Sequence, residues 1–331
     1  FIAEVNMQRY YSMSDFCKEL YGKKLYKLSI DAGFTCPNRD GAKGTGVCSF
    51  CSEGGSGEFC GHGADIGEQI ALAKKRIEKK AKNCGYIAYF QAFTNTYAPL
   101  KRLRELFFPI ALRSDIDVIS IATRPDCLEK DKLEMLQELN QIKPVWVELG
   151  LQTSNDETAK AFNRGFHTIE FMQAAKALRE IGVEVIAHVI LGLPGENQDD
   201  MLQTIDCVNA SGATGIKLQL LHVLKGTRLY KDFIASKYAP FTMEEYFAVL
   251  SKCVMNLRGD IAIHRLTGDG DKRLLIAPMW SADKKTVLNR LKEYFEKNDV
   301  VQGKDYTGRI ADCELRMEEC ADGKGETCRA N

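Results

Sequence analysis

Three cysteines stand close together in the stretch TCPNRDGAKGTGVCSFCS, residues 35–52: Cys36, Cys48 and Cys51, spaced C-x11-C-x2-C. Thiolates are soft ligands that select zinc or iron–sulfur clusters. A zinc ribbon needs a matched second pair, and no second C-x2-C occurs in the sequence. Cys60 could still complete a four-cysteine zinc site. Three thiolates suit better a [4Fe–4S] cluster with one iron open to a non-protein ligand. Gly41, Gly44 and Gly46 let such a loop wrap a bulky group without steric cost.

The elements that must position these thiols alternate. Strands are expected over residues 25–31, 86–91, 117–122, 145–151, 183–191 and 215–221. Helices are expected over 66–82, 100–112, 130–141, 169–181 and 199–210. Strand–helix alternation implies a parallel sheet with right-handed crossovers. Six such units predict an α/β fold: a partial (β/α)6 TIM-like barrel with a C-terminal α/β extension. The expected division is an N-terminal segment 1–24, the barrel 25–228, the extension 229–298 and a weakly structured tail 299–331. Ligands of such sheets lie beyond the C-terminal strand ends, and the cysteine loop follows the first strand there.

Composition narrows the function. The 331 residues carry 45 basic and 45 acidic side chains. Zero net charge excludes a whole-surface basic field for nucleic acid but leaves room for a local patch. No apolar run approaches the ~18 residues of a membrane span, so no membrane partner is expected. Twelve cysteines in a chain with no visible secretory signal point to a reducing, cytoplasmic setting and not to a disulfide framework.

The cysteine loop and six further segments together resemble the radical S-adenosylmethionine (radical SAM) superfamily. The further segments are YFQAFTNTYAP, SIATRPDCL, VELGLQT, HVILGLPGE, LLHVLKGT and RLTGDG. More narrowly the chain is similar to the bacterial YhcC/YtqA-type group, related to the Elongator catalytic subunit and to oxygen-independent coproporphyrinogen oxidase. The resemblance implies a [4Fe–4S] cluster on Cys36, Cys48 and Cys51, and S-adenosylmethionine (SAM) bound at the open iron. It implies reductive SAM cleavage to a 5′-deoxyadenosyl radical, driven by an electron donor such as flavodoxin or ferredoxin.

The same resemblance suggests who holds SAM. Phe50 would lie near the adenine. Gln91, Thr94 and Asn95 replace the usual Gly-Gly-Glu at the methionine amino group. Thr123, with Arg124 and Asp126 beside it, would serve the ribose, and Gln152 a further SAM contact. Arg164 would pair with the methionine carboxylate, and His188 would line the cavity beside the adenosine. Each has a plainer reading as turn, surface or core residue. Glu148, within the fourth strand, would need a partner if buried. His222, Lys225, Thr227, His264, Arg265, Asp269 and Asp271 are expected near the substrate or closing the cavity.

The related groups suggest tRNA, at the wobble-uridine side chain, as substrate. Lys74, Lys75, Lys79, Lys225 and Arg265 are the candidate RNA contacts. The alternatives are a small metabolite, or a non-catalytic zinc or iron–sulfur binding module. The tail cysteines Cys313, Cys320 and Cys328 could hold a second cluster.

Overall fold

Short runs of Val, Ile and Leu, each answered by an amphipathic helix, build the molecule. The computed structural model describes residues 8–43, 46–55, 57–58, 60, 63, 65–79 and 83–308. The strands are β1 (Leu25–Ile30), β2 (Gly85–Phe90), β3 (Val118–Thr123), β4 (Val145–Gln152), β5 (Glu184–Leu191), β6 (Gly215–Leu220), β7 (Val223–Leu224), β8 (Ala262–Arg265) and β9 (Leu275–Ala277). The helices are α1 (Met13–Tyr21), α2 (Ile66–Ile77), α3 (Leu100–Ala111), α4 (Lys130–Ile142), α5 (Asp156–Ala161), α6 (Thr168–Glu180), α7 (Gln198–Ala210), α8 (Arg228–Ile234), α9 (Met243–Asn256) and α10 (Lys284–Lys297).

β1 to β6 and β8 form one parallel, seven-stranded sheet in that order, a partial barrel. Six strands stand as expected; the seventh, β8, comes from the C-terminal extension and pairs with β6. β7 and β9 make a separate antiparallel ribbon at the mouth. The outer face of the sheet buries Leu28, Phe90, Ile121, Leu149 and Leu191 against α2–α4, α6, α7 and α9.

Side chains alternate across a strand, so the other face points into the barrel. Lys27, Tyr89, Ser120, Glu148, His188 and Lys217 occupy it, one from each of β1 to β6. The floor is closed by α1, which sequence periodicity did not reveal. Its Phe16 meets the Trp146 ring edge-on at 5.6 Å, and Ile263 N–H donates to Tyr11 C=O at 2.7 Å.

The tail begins more firmly than expected. Val300 is fully buried. Gln302 accepts from Tyr11 N–H and donates to the carbonyls of Arg258 and Ile261. Cys313, Cys320 and Cys328 lie outside the described residues. α2 ends at Ile77, not near residue 82 as the pattern suggests. Because α2 runs back from the mouth toward the floor, its basic end sits at the wrong end for a substrate. Lys74 pairs there with Asp115 at 2.6 Å and stacks on Tyr86. Lys74, Lys75 and Lys79 thus stand toward the floor end and not beside the cluster loop.

Candidate active site

A cavity of about 1030 Å3, open solvent at its mouth included, lies at the C-terminal strand ends. Cys36, Cys48 and Cys51 all line it. Each thiol sulfur receives an N–H: Asn38 Nδ2 to Cys48 at 3.6 Å, Arg39 to Cys51 at 3.3 Å, and Arg124 to Cys36 at 4.0 Å. Donors aimed at sulfur favour its anionic form. Burial first, then repulsion from Cys51 and Cys36, pushes the Cys48 thiol up to about 12. Three thiolates thus need a cationic group among them, as an iron–sulfur cluster supplies.

Among the described residues no three His, Cys, Asp or Glu side chains converge as on a single metal ion. Cys60 is buried and does not line the cavity. The donor set fits a cluster touched by separated thiolates better than a zinc ion.

The loop is held by its neighbours. Ser49 N–H donates to Phe162 C=O, and Leu229 N–H at the start of α8 donates to Ser49 C=O. Asn38 donates to the carbonyls of Asn163 and Arg164 and accepts from Arg124 at 2.8 Å. Gly55 has φ +56, and a Cβ there would come within 2.3 Å of the Phe93 ring. Arg39 stacks on that ring.

Phe50, Gln91, Thr94, Thr123, Gln152 and His188 line the cavity around the cysteines. Gln152 reaches it through a bulge: the β4–β5 register shifts between Gly150 and Gln152, and Gln152 holds φ 64. Asn95 does not line the cavity. Its amide donates to the carbonyls of Phe90, Ala92 and Ala122, stapling β2 to β3.

Arg164 is 1 % exposed, and protein groups already take its guanidinium. It donates to the carbonyls of Phe166, Leu151 and Thr153, to Asp156 at 2.8 Å and to Thr168. Arg164 still lines the cavity, and these bonds also make it a clamp beneath the cluster loop. Arg124 and Asp126 likewise form a bidentate pair at 2.8 Å, and Thr123 hydroxyl meets Thr96 hydroxyl at 2.6 Å.

Deeper in the barrel, Glu148 finds the partners its burial demands. It is held by Lys217 and Lys27, accepts from Ser120 at 2.9 Å, and meets His188 Nε2 at 2.7 Å. Burial would raise its carboxyl, but Lys217 and Lys27 outweigh that and hold it well below the usual range. Burial, then Lys217, lowers His188 to about 4, so its imidazole is neutral at pH 7. Lys27, Lys217 and Tyr89 were not singled out in the sequence. A lysine in the middle of an otherwise apolar strand was the available signal. His264 packs at the floor beside Phe16 and Trp146 rather than closing the cavity.

The radical SAM superfamily model matches residues 34–208, and its C-terminal domain model matches 213–297. The chain is 41% identical over 298 residues to the uncharacterized protein YtqA of Bacillus subtilis, covering 90% of this chain and 92% of that one. It is 34% identical over 281 residues to protein YhcC of Escherichia coli, covering 85% and 90%. Among solved structures, the archaeal Methanocaldococcus infernus Elp3 shares the fold at TM-score 0.62 and 16% identity. That match spans 84% of this chain and 64% of that one. Methylornithine synthase matches at TM-score 0.50 and 13% identity, over 87% and 89%. A matched superfamily model over half the sequence, relatives along nearly its whole length and three thiols in one barrel mouth agree: the chain belongs to the radical SAM superfamily, as an enzyme of the YhcC type that uses a [4Fe–4S] cluster and SAM.

Proposed function

We propose that this enzyme acts on tRNA, at the side chain of the wobble uridine. A distant relative supports the reading: the tRNA uridine(34) acetyltransferase of Methanocaldococcus infernus is 30% identical over 137 residues, 40% of this chain and 25% of that protein. The observation that carries it is charge placement. The molecule has no net charge, yet Lys225, Arg228 and Lys272 are exposed on the segments around the barrel mouth. Such a patch meets phosphate locally and binds RNA modestly, with affinity lost as salt rises.

Within the mouth we assign Cys36, Cys48 and Cys51 to the cluster. Gln91, Thr94, Thr123, Gln152 and His188 surround SAM, with Phe50 beside its adenine. When bound, the cluster and SAM supply a 5′-deoxyadenosyl radical for hydrogen abstraction. The protein's part is to hold, orient and exclude water. Neutral His188 donates to Glu148 and leaves its other nitrogen as an acceptor toward the cavity. Lys217, fixed between Glu148 and Tyr89 at 3.0 Å, completes a hydrogen-bonded inner wall, and its burial holds it well below the usual lysine range.

The enzyme needs an electron donor, which we assign to flavodoxin or ferredoxin in the cytoplasm. No helix among the described residues is long and apolar enough to cross a membrane. The test is mass spectrometry of digested tRNA from cells with and without the gene. A changed wobble-uridine profile is expected. An unchanged profile under aerobic and anaerobic growth overturns the tRNA assignment.

A further inference from the structure

A second cavity of about 800 Å3, its open mouth included, adjoins the first. Phe50, Cys51, Gln91, Gln219 and Arg265 line both, so the two share one wall. Ile190, Leu220, Leu221 and Leu224 make one side of the second cavity apolar. The facing side is His222 under the loop Gly268–Asp271. That loop lies close on the ring at Gly268, where a Cβ would come within 3.0 Å of His222 Cε1. His222 Nε2 is buried with no hydrogen-bond partner. An unpaired buried polar nitrogen is costly, and the side chain that carries it lines a cavity roomy enough for a ligand group, so a turn of the ring would let such a group satisfy it. Burial lowers this imidazole to about 4. It is therefore neutral and offers one donor and one acceptor.

Charge decides what can enter. Glu58, Asp269 and Asp271 line the cavity, and Arg265 is the one cation among its described lining residues. The exposed cations Lys225, Arg228 and Lys272 stand outside it, while Arg273 is paired with Asp271 and Lys284 with Asp269. Phosphate is drawn to the exposed cations outside; inside, two of the three carboxylates are already ion-paired and the lining offers it only Arg265. A planar, uncharged ring suits the interior, with its faces on the leucine side and its polar edge on His222.

We propose that this second cavity is the base pocket: it admits one splayed-out nucleobase, and His222 recognises the base's amide or imide edge through Nε2. The proposal rests on the RNA reading above. It places the reacting nucleotide at the wall shared with the SAM cavity, with its phosphates on the outer cations. An unpaired loop base reaches such a pocket at little cost.

The test uses the reconstituted holoenzyme, with total tRNA from cells lacking the gene as probe. We measure 5′-deoxyadenosine formed with and without that tRNA, for wild type, His222→Ala and His222→Gln. Separately, a 4-thiouridine-bearing anticodon stem–loop is photo-crosslinked to the protein and mapped by mass spectrometry. His222→Ala should lower RNA-stimulated turnover on the order of tenfold, since a lost partner leaves the base edge unpaired. Iron content and the slow RNA-free cleavage should stay unchanged. His222→Gln, which keeps a donor and an acceptor, should recover part of the loss, and crosslinks should fall on 220–224 or 268–271. RNA-stimulated turnover in His222→Ala equal to wild type, or crosslinks confined to other segments, overturns the base pocket alone. Wild-type enzyme indifferent to the tRNA overturns the RNA reading, and the pocket assignment with it.

Discussion

Arg164 illustrates how a single side chain divides its duties. Its guanidinium binds three carbonyls, a carboxylate and a hydroxyl at 1 % exposure. Removing it strands Asp156 and those carbonyls, so Arg164→Ala should cost about 3–5 kcal/mol, the scale of a broken buried ion pair. The check is denaturant unfolding. SAM affinity lost with no loss of stability would instead restore the carboxylate contact. Sequence could not decide this, because FNRGF shows an arginine after the fourth strand but not which way it turns. The cysteine trio was legible since its spacing is local.

Glu196 gives a pH effect. Both its carboxylate oxygens are buried, and burial, only partly offset by the Thr153 and Thr158 hydroxyls, raises it to about 7. A carboxyl raised in the fold stabilises fully below its unfolded value near 4.5, and that contribution is lost as pH rises through 7. Glu196→Gln should flatten stability between pH 5 and 7 and be roughly 2 kcal/mol more stable than wild type at pH 8. Thermal unfolding across pH reads this, and parallel curves for the two proteins would refute it.

Among the elements, β4 does most to shape the site. Its bulge brings Gln152 to the cavity at φ 64, a conformation that costs a non-glycine residue of order 1 kcal/mol. Gln152→Gly should therefore hold or raise Tm while weakening SAM binding; calorimetry reads both. Unchanged SAM affinity would make the bulge merely structural. The six barrel strands were legible as apolar runs with helical answers. α1, α5 and α8 were not: they are short, and α1 is defined by the floor it seals. The partner of Glu148 was hidden because Lys27 and Lys217 sit about 120 and 70 residues away in sequence and meet only when the sheet curls. Asn95 was legible as polar and important, but its role in joining β2 to β3 depends on a strand pairing that no local pattern shows.

In the molecule as a whole, the barrel is closed at the floor and open at the mouth, and the segments 8–12 and 299–303 meet at the floor. Gln302 ties Tyr11 to the segment before β8, and buried Val300 packs beside it. Truncation after residue 298 should expose that seam and lower Tm by several degrees, a loss of roughly 1–2 kcal/mol in a chain this size. A truncated protein as stable as wild type would show the seam to be ornamental to the fold. The same polarity explains where the run of lysines at the end of α2 lies: the crossover carries it toward the floor, away from the cluster loop.

We propose that Cys36, Cys48 and Cys51 alone hold the cluster that opens SAM. The direct measurement is anaerobic incubation of reconstituted protein with SAM and dithionite, assaying 5′-deoxyadenosine by mass spectrometry beside the iron content. Wild type and Cys60→Ala should form 5′-deoxyadenosine and carry a four-iron cluster, whereas alanine at Cys36, Cys48 or Cys51 should abolish both while the protein stays folded. A full cluster in the triple variant, or stoichiometric zinc and no 5′-deoxyadenosine in wild type, would contradict the account.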